Sequence, residues 1–251
     1  MILYGGDEHL LAITPSIDAT SHKHTFLQLT LGLEQPVRMG IDDELVSGHG
    51  FVLGSNVTHS LSGGPVLLLL ADRASVLGDM LRRYAAGQSM RLLDDSSAAE
   101  AGRYVAEHYP HVRGPEDYRT FLIELLRRLG FSYEIPRLMD ARIVATLDSL
   151  SQCGHSEHPI DELARAASLS SSRLSHLFKE QTGIALGSYL VLHKLQKAYY
   201  SIFDGISITE AALAAGFDSP SHFAAASRRL LGMSAADIRK DSVFLKVSRF
   251  M

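Results

Sequence analysis

The chain repeats itself near its C-terminus, and a tandem repeat constrains a fold more tightly than composition can. Laying PIDELARAASLSSSRLSHLFKEQTGIAL over SITEAALAAGFDSPSHFAAASRRLLGMSA matches Ile160, Glu162, Ala164 and Ala167 to Ile208, Glu210, Ala212 and Ala215, a shift of 48. Past the turn, Leu174, Phe178 and Gly183 match Phe223, Ser227 and Gly232, a shift of 49, so the second turn carries one extra residue. Each copy reads as a short helix, a tight turn and a second helix ending at Gly, the outline of a helix-turn-helix.

Helical spacing sharpens that outline. Leu174, Leu177 and Phe178 recur at three and four residues, so they form the buried stripe of the second helix in the first copy. Ser171, Ser172, Ser175, His176 and Lys179 are left on the opposite face. Small hydrogen-bonding groups with a cation can approach base edges and phosphates in a major groove. A plain helical hairpin would leave a solvated polar face too, but two such copies joined by one helix favour the reading face. The whole chain has 24 basic and 28 acidic residues, a net −4 that argues against nucleic acid. The acid, however, is concentrated upstream: residues 1–154 hold 13 basic against 19 acidic groups, and residues 155–251 hold 11 against 9. The repeat therefore lies in a region of charge +2, behind a region of −6.

Upstream the pattern is different. HTFLQLTLGL, PVRMGI, HGFVLG, VTHSLSG and PVLLLLA are short β-like runs broken by Gly, Pro, Asn and Asp. They predict an antiparallel sandwich or small barrel. From Asp72 the period shifts to helical, with apolar residues at Val76, Leu77, Met80, Leu81 and Tyr84. Further helices are predicted from about Ala98 to His108, from Pro115 to about Leu129, and after Pro136, the last with Leu138, Ile143, Val144, Leu147 and Leu150 toward one side. The loop SQCGHSEHP is the best linker, so the fold class is α+β in two domains: residues 1–153, β-rich with helices at the end, and residues 154–251, all helical. No apolar run approaches the roughly 20 residues of a membrane span. The opening MILYGGDEHLL lacks a basic leader, and the single Cys153 gives neither disulfide nor zinc pair, so the chain reads as cytoplasmic.

His22, His24, Phe26, Gln28 and Thr30 are separated by even numbers, so on one strand they share a face, with Leu27, Leu29, Leu31 and Leu33 on the other. His59 sits on a later run. His22, His24 and His59 are a plausible nitrogen set for Zn, Fe, Ni or Cu, with Gln28 a weak oxygen ligand. The same row, His22, His24, Phe26, Gln28 and His59, equally suits a mixed polar and aromatic lining for an organic effector. Both readings stand at this point. The stripe Leu122, Leu125, Leu126 and Leu129 reads as core or dimer interface, and Arg82, Arg83, Arg127 and Arg128 as solvated charge.

The stretch from about Pro159 to Lys240 resembles the DNA-binding domain of AraC/XylS-type bacterial transcription regulators. The resemblance rests on ELA, LSSSRLSHLFKEQTGI, the connecting helix YLVLHKLQKA, SITEAALAAGF and the closing SHFAAASRRLLGMS. It covers about a third of the chain. It implies that the two second helices enter successive major-groove segments about 34 Å apart. By position Ser172, Ser175 and His176 would face bases and Lys179 phosphate; Pro220, Ser221, His222 and Ala225 take the equivalent places in the second copy. Ala225 stands where many members have a polar reader, Ser227 where the buried face is usually aromatic, Ala185 and Ala235 where proline is common, and Val191 and His193 where arginine is frequent. The second copy is therefore expected to be the weaker reader, holding backbone through Arg228, Arg229 and its helix N-terminus.

The order HxH, Gln, Gly-rich turn, His resembles the metal motifs of cupin barrels, though Gln28 replaces the usual glutamate. The resemblance implies an effector or dimerisation module upstream and a homodimer on promoter DNA. The expected function is sequence-specific regulation of transcription under a small-molecule or divalent-metal effector. The alternatives are a metal-dependent cupin enzyme fused to a DNA-binding domain, for which no acid or base partner is evident, and a regulator without a ligand.

Overall fold

Period-two runs in the first 71 residues become nine strands: β1 (Ile2–Gly5), β2 (His9–Thr14), β3 (Ile17–His22), β4 (Leu27–Gly32), β5 (Val37–Ile41), β6 (Glu44–Gly48), β7 (Gly50–Leu53), β8 (His59–Gly63) and β9 (Val66–Ala71). The computed structural model describes residues 2–5, 9–42, 44–131, 140–152, 159–182, 184–231 and 243–246. Helix α1 (Val76–Ala85), strand β10 (Met90–Leu92), and helices α2 (Asp95–His108) and α3 (Pro115–Arg128) follow. After them come α4 (Ala141–Gln152), α5 (Ile160–Ala166), α6 (Ser171–Thr182), α7 (Leu186–Phe203), α8 (Ile208–Ala214) and α9 (Pro220–Leu231), with a closing strand β11 (Val243–Lys246).

Two bodies are separated by their internal contacts: Met1–Glu134 with Asp241–Met251, and Ile135–Lys240. In the first, seven strands pair in the order β10-β7-β4-β9-β2-β1-β11 and four in the order β3-β8-β5-β6. Neighbours are antiparallel except β1 and β11, which run parallel with Ile2 opposite Val243. The two faces of the large sheet have different partners. Leu27, Leu29 and Leu31 of β4, with Leu67 and Leu69 of β9 and Leu11 of β2, pack against Leu77 and Leu81 of α1, Ala101 and Val105 of α2 and Leu122 and Leu125 of α3. Each such fully buried leucine contributes about 1.5–3 kcal/mol of apolar burial. Gly102 lets α2 settle on β4, because a Cβ there would lie 2.6 Å from the Gly32 carbonyl oxygen. The opposite face of β4 carries Gln28 and Thr30, both buried, among Leu53, Leu70, Phe51 and Leu68, their cross-strand partners. The smaller sheet buries one face as well, through Val37, Met39, His59 and Leu61. The α+β sandwich followed by an all-helical region is as the sequence pattern predicted.

The second body begins earlier than the predicted linker. Ile143 and Leu150 of α4 pack with Leu163, Ala164, Leu174, Leu177 and Phe178 of α5 and α6, so α4 belongs with the helices that follow it. The expected boundary at residues 153 and 154, and Cys153 itself, lie outside the described residues; the division falls at Glu134 and Ile135. The tail expected in the helical domain returns to the first body as β11. Val144, predicted on the apolar side of α4, is exposed, because Ile143, Leu147 and Leu150 already fill the three-and-four spacing that faces the core. Leu138 lies outside the described residues.

Candidate functional site

The repeat predicted from sequence is repeated in backbone detail. Helices α5 and α8 start 48 residues apart and α6 and α9 start 49 apart. After α5 the chain reverses through Ser168 at φ 55°, and after α8 through Gly216 at φ 83°, the left-handed conformation glycine adopts without strain. The amide of Leu169 then bonds the Ala164 carbonyl and that of Phe217 the Ala212 carbonyl, both at about the same length, 2.9 and 3.0 Å. Serines cap both second helices: Arg173 N–H donates to Ser170 Oγ at 3.2 Å, and His222 N–H to Ser219 Oγ at 3.1 Å. The extra residue of the second turn is Asp218.

Leu174, Leu177 and Phe178 are buried, as the spacing predicted. Ser172, His176 and Lys179 are exposed on the other side of α6, and Ser171 and Ser175 are half-buried there. The Ser171 hydroxyl donates to the Asp161 carboxylate of α5, so it braces the two helices. Arg173, which the sequence reading passed over, is exposed in the first turn of the same helix; a cation next to a capping serine was the available signal. On α9, Ser221, His222, Ala225 and Arg228 are exposed and Pro220 is half-buried, while Arg229 lies on the last turn. His222 Nδ1 lies 3.0 Å from Asp218 Oδ2, and its ring meets Phe217 edge-on at 5.5 Å. In the second copy an acid thus sits against the imidazole of the polar face, whereas in the first the nearby acid, Asp161, is held by Ser171.

The buried Ser227 is satisfied inside the core. Its hydroxyl shares a hydrogen bond of 2.5 Å with the Tyr199 hydroxyl of α7, and the Tyr199 ring packs 5.6 Å from Phe223. A tyrosine from the connecting helix thus supplies the buried polar partner of the serine that stands at this aromatic position. Lys194 of α7 donates to the Gly216 carbonyl at 2.8 Å and so fixes the second turn from behind. Ala185 is the N-cap of α7, and Val191 and His193 are half-buried on it; Ala235 lies outside the described residues.

In the first body, the run from His22 to Leu33 is not one strand. β3 ends at His22 and β4 starts at Leu27, in different sheets, and residues 23–26 carry the chain between them. The predicted row is therefore split, yet its members meet. His22 and His59 are cross-strand partners with ring centroids 4.4 Å apart, and His24 lies 5.0 Å from His59 and 5.8 Å from His22. One ring nitrogen from each of the three falls within 4.8 Å of the others. Phe26 packs on His24 at 6.1 Å.

Each imidazole is oriented by a backbone carbonyl at Nδ1: Thr20 for His22 at 2.7 Å, Phe26 for His24 at 3.3 Å and Val57 for His59 at 3.0 Å. For His22 and His59 a proton on Nδ1 leaves the Nε2 lone pair free, which is how metal-binding histidines are held; His24 instead donates from Nε2 to the Gln28 carbonyl oxygen. Burial keeps His59 neutral, lowering its pKa to about 4, and lowers that of His24 as well. Nε2 of His24 also lies 2.9 Å from Gln28 Oε1, and the Gln28 amide donates to Thr30 Oγ1 at 2.8 Å. The donor set is one that Zn, Ni, Co, Cu or ferrous iron accepts.

A family model for a helix-turn-helix domain matches residues 163–241. The second body holds an AraC-type helix-turn-helix domain. With this AraC-type domain the chain is a DNA-binding transcription regulator. A probable transcriptional regulator, LumQ of Photobacterium leiognathi, is 27% identical over 222 residues, covering 86% of this chain and 90% of the relative. Among solved structures, an apo ToxT variant from Vibrio cholerae superposes with a TM-score of 0.58 at 12% identity, over 92% of this chain and 97% of that one. ToxT bound to an unsaturated fatty acid, from the same organism, gives 0.50 at 12% identity, over 92% and 93%. These likenesses extend to the β-rich body upstream of the AraC-type domain and are likenesses of fold. Among the described residues, no helix is long and apolar enough to cross a membrane.

Proposed function

We propose that this regulator reads promoter DNA mainly with α6, through Ser172, Ser175 and His176 with Lys179 on phosphate, and that a transition metal at His22, His24 and His59 sets its DNA affinity. The observation that carries the DNA half is the exposed polar face of α6 over a fully buried stripe. Helix α9 supports rather than discriminates, because Asp218 sits beside His222 and Ala225 offers no hydrogen bond. The metal half rests on three imidazoles whose Nδ1 atoms all face backbone carbonyls. Control is linkage: a ligand that prefers one arrangement of the protein changes DNA affinity by its differential affinity for the two. In this reading the protein is a homodimer addressing two half-sites.

Binding of the full-length protein to DNA upstream of its neighbouring operon, followed by fluorescence anisotropy across a salt series, tests the reading face. The Ser172→Ala, His176→Ala pair should lower specific affinity by about tenfold or more, since each lost base contact is worth roughly 1–3 kcal/mol, and leave the salt slope unchanged. Equal binding by variant and parent rejects the assignment. A second reading, an organic effector, is favoured by the apolar inner faces around Gln28 and Thr30, and ToxT with its unsaturated fatty acid sets the precedent. Elemental analysis after incubation with metal separates the two: uptake of no stoichiometric metal rejects the metal reading.

A further inference from the structure

We infer that the first body binds a small monocarboxylate at one end of its large sheet, on Arg73, Thr25 and His9, residues that neither reading of the effector uses. Buried polar atoms are almost always paired, so an unpaired one marks a place where a partner fits. Among the described residues, His9 Nδ1, Thr25 Oγ1 and Arg73 Nε are buried without a hydrogen-bond partner; Arg128 Nε, the other such atom, has a Glu124 oxygen 2.9 Å away. The first three belong to the same end of three adjacent strands. His9 opens β2 and pairs with Ala71, the last residue of β9, which on its other side pairs with Leu27, the first residue of β4. Thr25 lies two residues before Leu27 and Arg73 two residues after Ala71, so all three stand within two residues of a single cross-strand row. Leu27 and Ala71 belong to the helix-facing core, and so does His9, whose Nε2 meets Tyr118 of α3. The site is therefore at the margin of that core, across the sheet from Gln28 and Thr30.

The chemistry of the three selects an anion. Asp72 is the acid whose charge supports Arg73, and its Oδ1 already accepts the Ala74 amide at 2.9 Å. Arg82, whose charge opposes Arg73, shares the Asp79 carboxylate with Arg83. Three guanidiniums thus stand against two carboxylates, a surplus of one positive charge. Burial and Arg82 both push the Arg73 pKa down, a cost that an arriving anion removes. A carboxylate matches the guanidinium fork, taking two parallel N–H bonds, one of them from the unpaired Nε. The other two groups can donate to the same ligand. With the Tyr118 hydroxyl donating to His9 Nε2 at 2.6 Å, the neutral imidazole carries its proton on Nδ1 and has it to give. Thr25 offers its hydroxyl, its carbonyl being taken by Ser55 Oγ at 2.6 Å. One surplus charge and two neutral donors suit a monoanion, whereas a doubly charged phosphate brings an uncompensated charge out of water. Arg73 is half-buried, so a ligand reaches it from solvent, and the buried His9 closes the inner end.

Propionate is the probe, titrated at neutral pH and constant ionic strength into full-length wild type, Arg73→Gln, Thr25→Val and Arg119→Gln, with binding followed by isothermal titration calorimetry and the fold of each checked by circular dichroism. Wild type should bind one propionate per chain, saturably, and inorganic phosphate several-fold more weakly. Arg73→Gln should weaken propionate binding by about tenfold or more, since a charge-assisted hydrogen bond is lost. Thr25→Val should weaken it several-fold, and this arm decides the matter if Arg73→Gln does not fold. Arg119, exposed on α3, is the control for general charge, and its variant should bind as wild type does. No saturable binding by wild type overturns the inference, as does equal binding by wild type and the Arg73 and Thr25 variants, or an equal loss in Arg119→Gln. Phosphate bound as tightly as propionate overturns the choice of a monocarboxylate.

Discussion

His9 occupies the helix-facing side of β2, where its Nε2 and the Tyr118 hydroxyl share a hydrogen bond of 2.6 Å and the two rings stack at 5.7 Å. Its Nδ1 finds no partner among the described residues. Complete burial lowers its pKa from 6.5 to about 4, so the folded state holds it neutral at pH values between the two, where the unfolded chain protonates it. The unfolded state binds the extra proton, and stability must fall as pH drops from 6.5 toward 4, by on the order of 3 kcal/mol from this residue. Denaturant titrations across that range should show the fall, and His9→Gln should flatten part of it; an unaltered slope in the variant would remove His9 as a cause. His24 and His59 contribute with the same sign. None of this was legible at residue level, because an isolated His in HLLAIT has no spacing to argue from; its partner lies 109 positions away. The trio His22, His24 and His59 was legible as chemistry, since HxH and a third His are a ligand pattern wherever strands bring them together. Their carbonyl partners were not, because every backbone offers carbonyls and only the folded turn decides which are near.

At the scale of elements, the two recognition helices differ by the one residue that separates a shift of 48 from a shift of 49. Asp218 places a carboxylate at the polar face of α9, 3.0 Å from His222. That charge repels phosphate and occupies the imidazole. Asp218→Asn should therefore tighten DNA binding several-fold and raise the salt slope by about one, since one repelled phosphate contact is regained. Gel-shift titrations at two salt concentrations measure both quantities, and weaker binding by the variant would show that Asp218 positions His222 for DNA instead. The tandem helices were readable beforehand because spacing, caps and turn residues agree in both copies. The strand break at residues 23–26 was not, since period-two alternation from His22 to Thr30 runs through the turn without interruption. The mismatch at Ser227 was visible as a departure; its resolution by Tyr199 required knowing which face of α7 meets α9.

At the scale of the molecule, charge and connectivity divide differently. The acidic N-terminal portion and the mildly basic remainder are consistent with a regulator that keeps one body off the duplex. Connectivity does not follow the same line, because β11 completes the edge of the first body's large sheet. Removing Asp241–Met251 should expose the β1 edge and lower the melting temperature of the first body by several degrees, as loss of a strand's pairing would at about 1–2 kcal/mol. Calorimetry of the truncated protein checks this, and an unchanged transition would show that β11 adds nothing to the sheet. The terminal segment was unreadable from sequence because VFLK is too short for any period, and a strand so small is defined only by the edge that receives it.

The parallel pairing of Ile2–Gly5 with Val243–Lys246 brings the two chain ends to one sheet edge. Topologically the DNA-binding body is then an insertion, a loop of more than a hundred residues sewn into its host at both seams. In a chain made from its N-terminus, β1 therefore waits for its outer partner until the whole helical body has been synthesised, so the edge of the large sheet closes last.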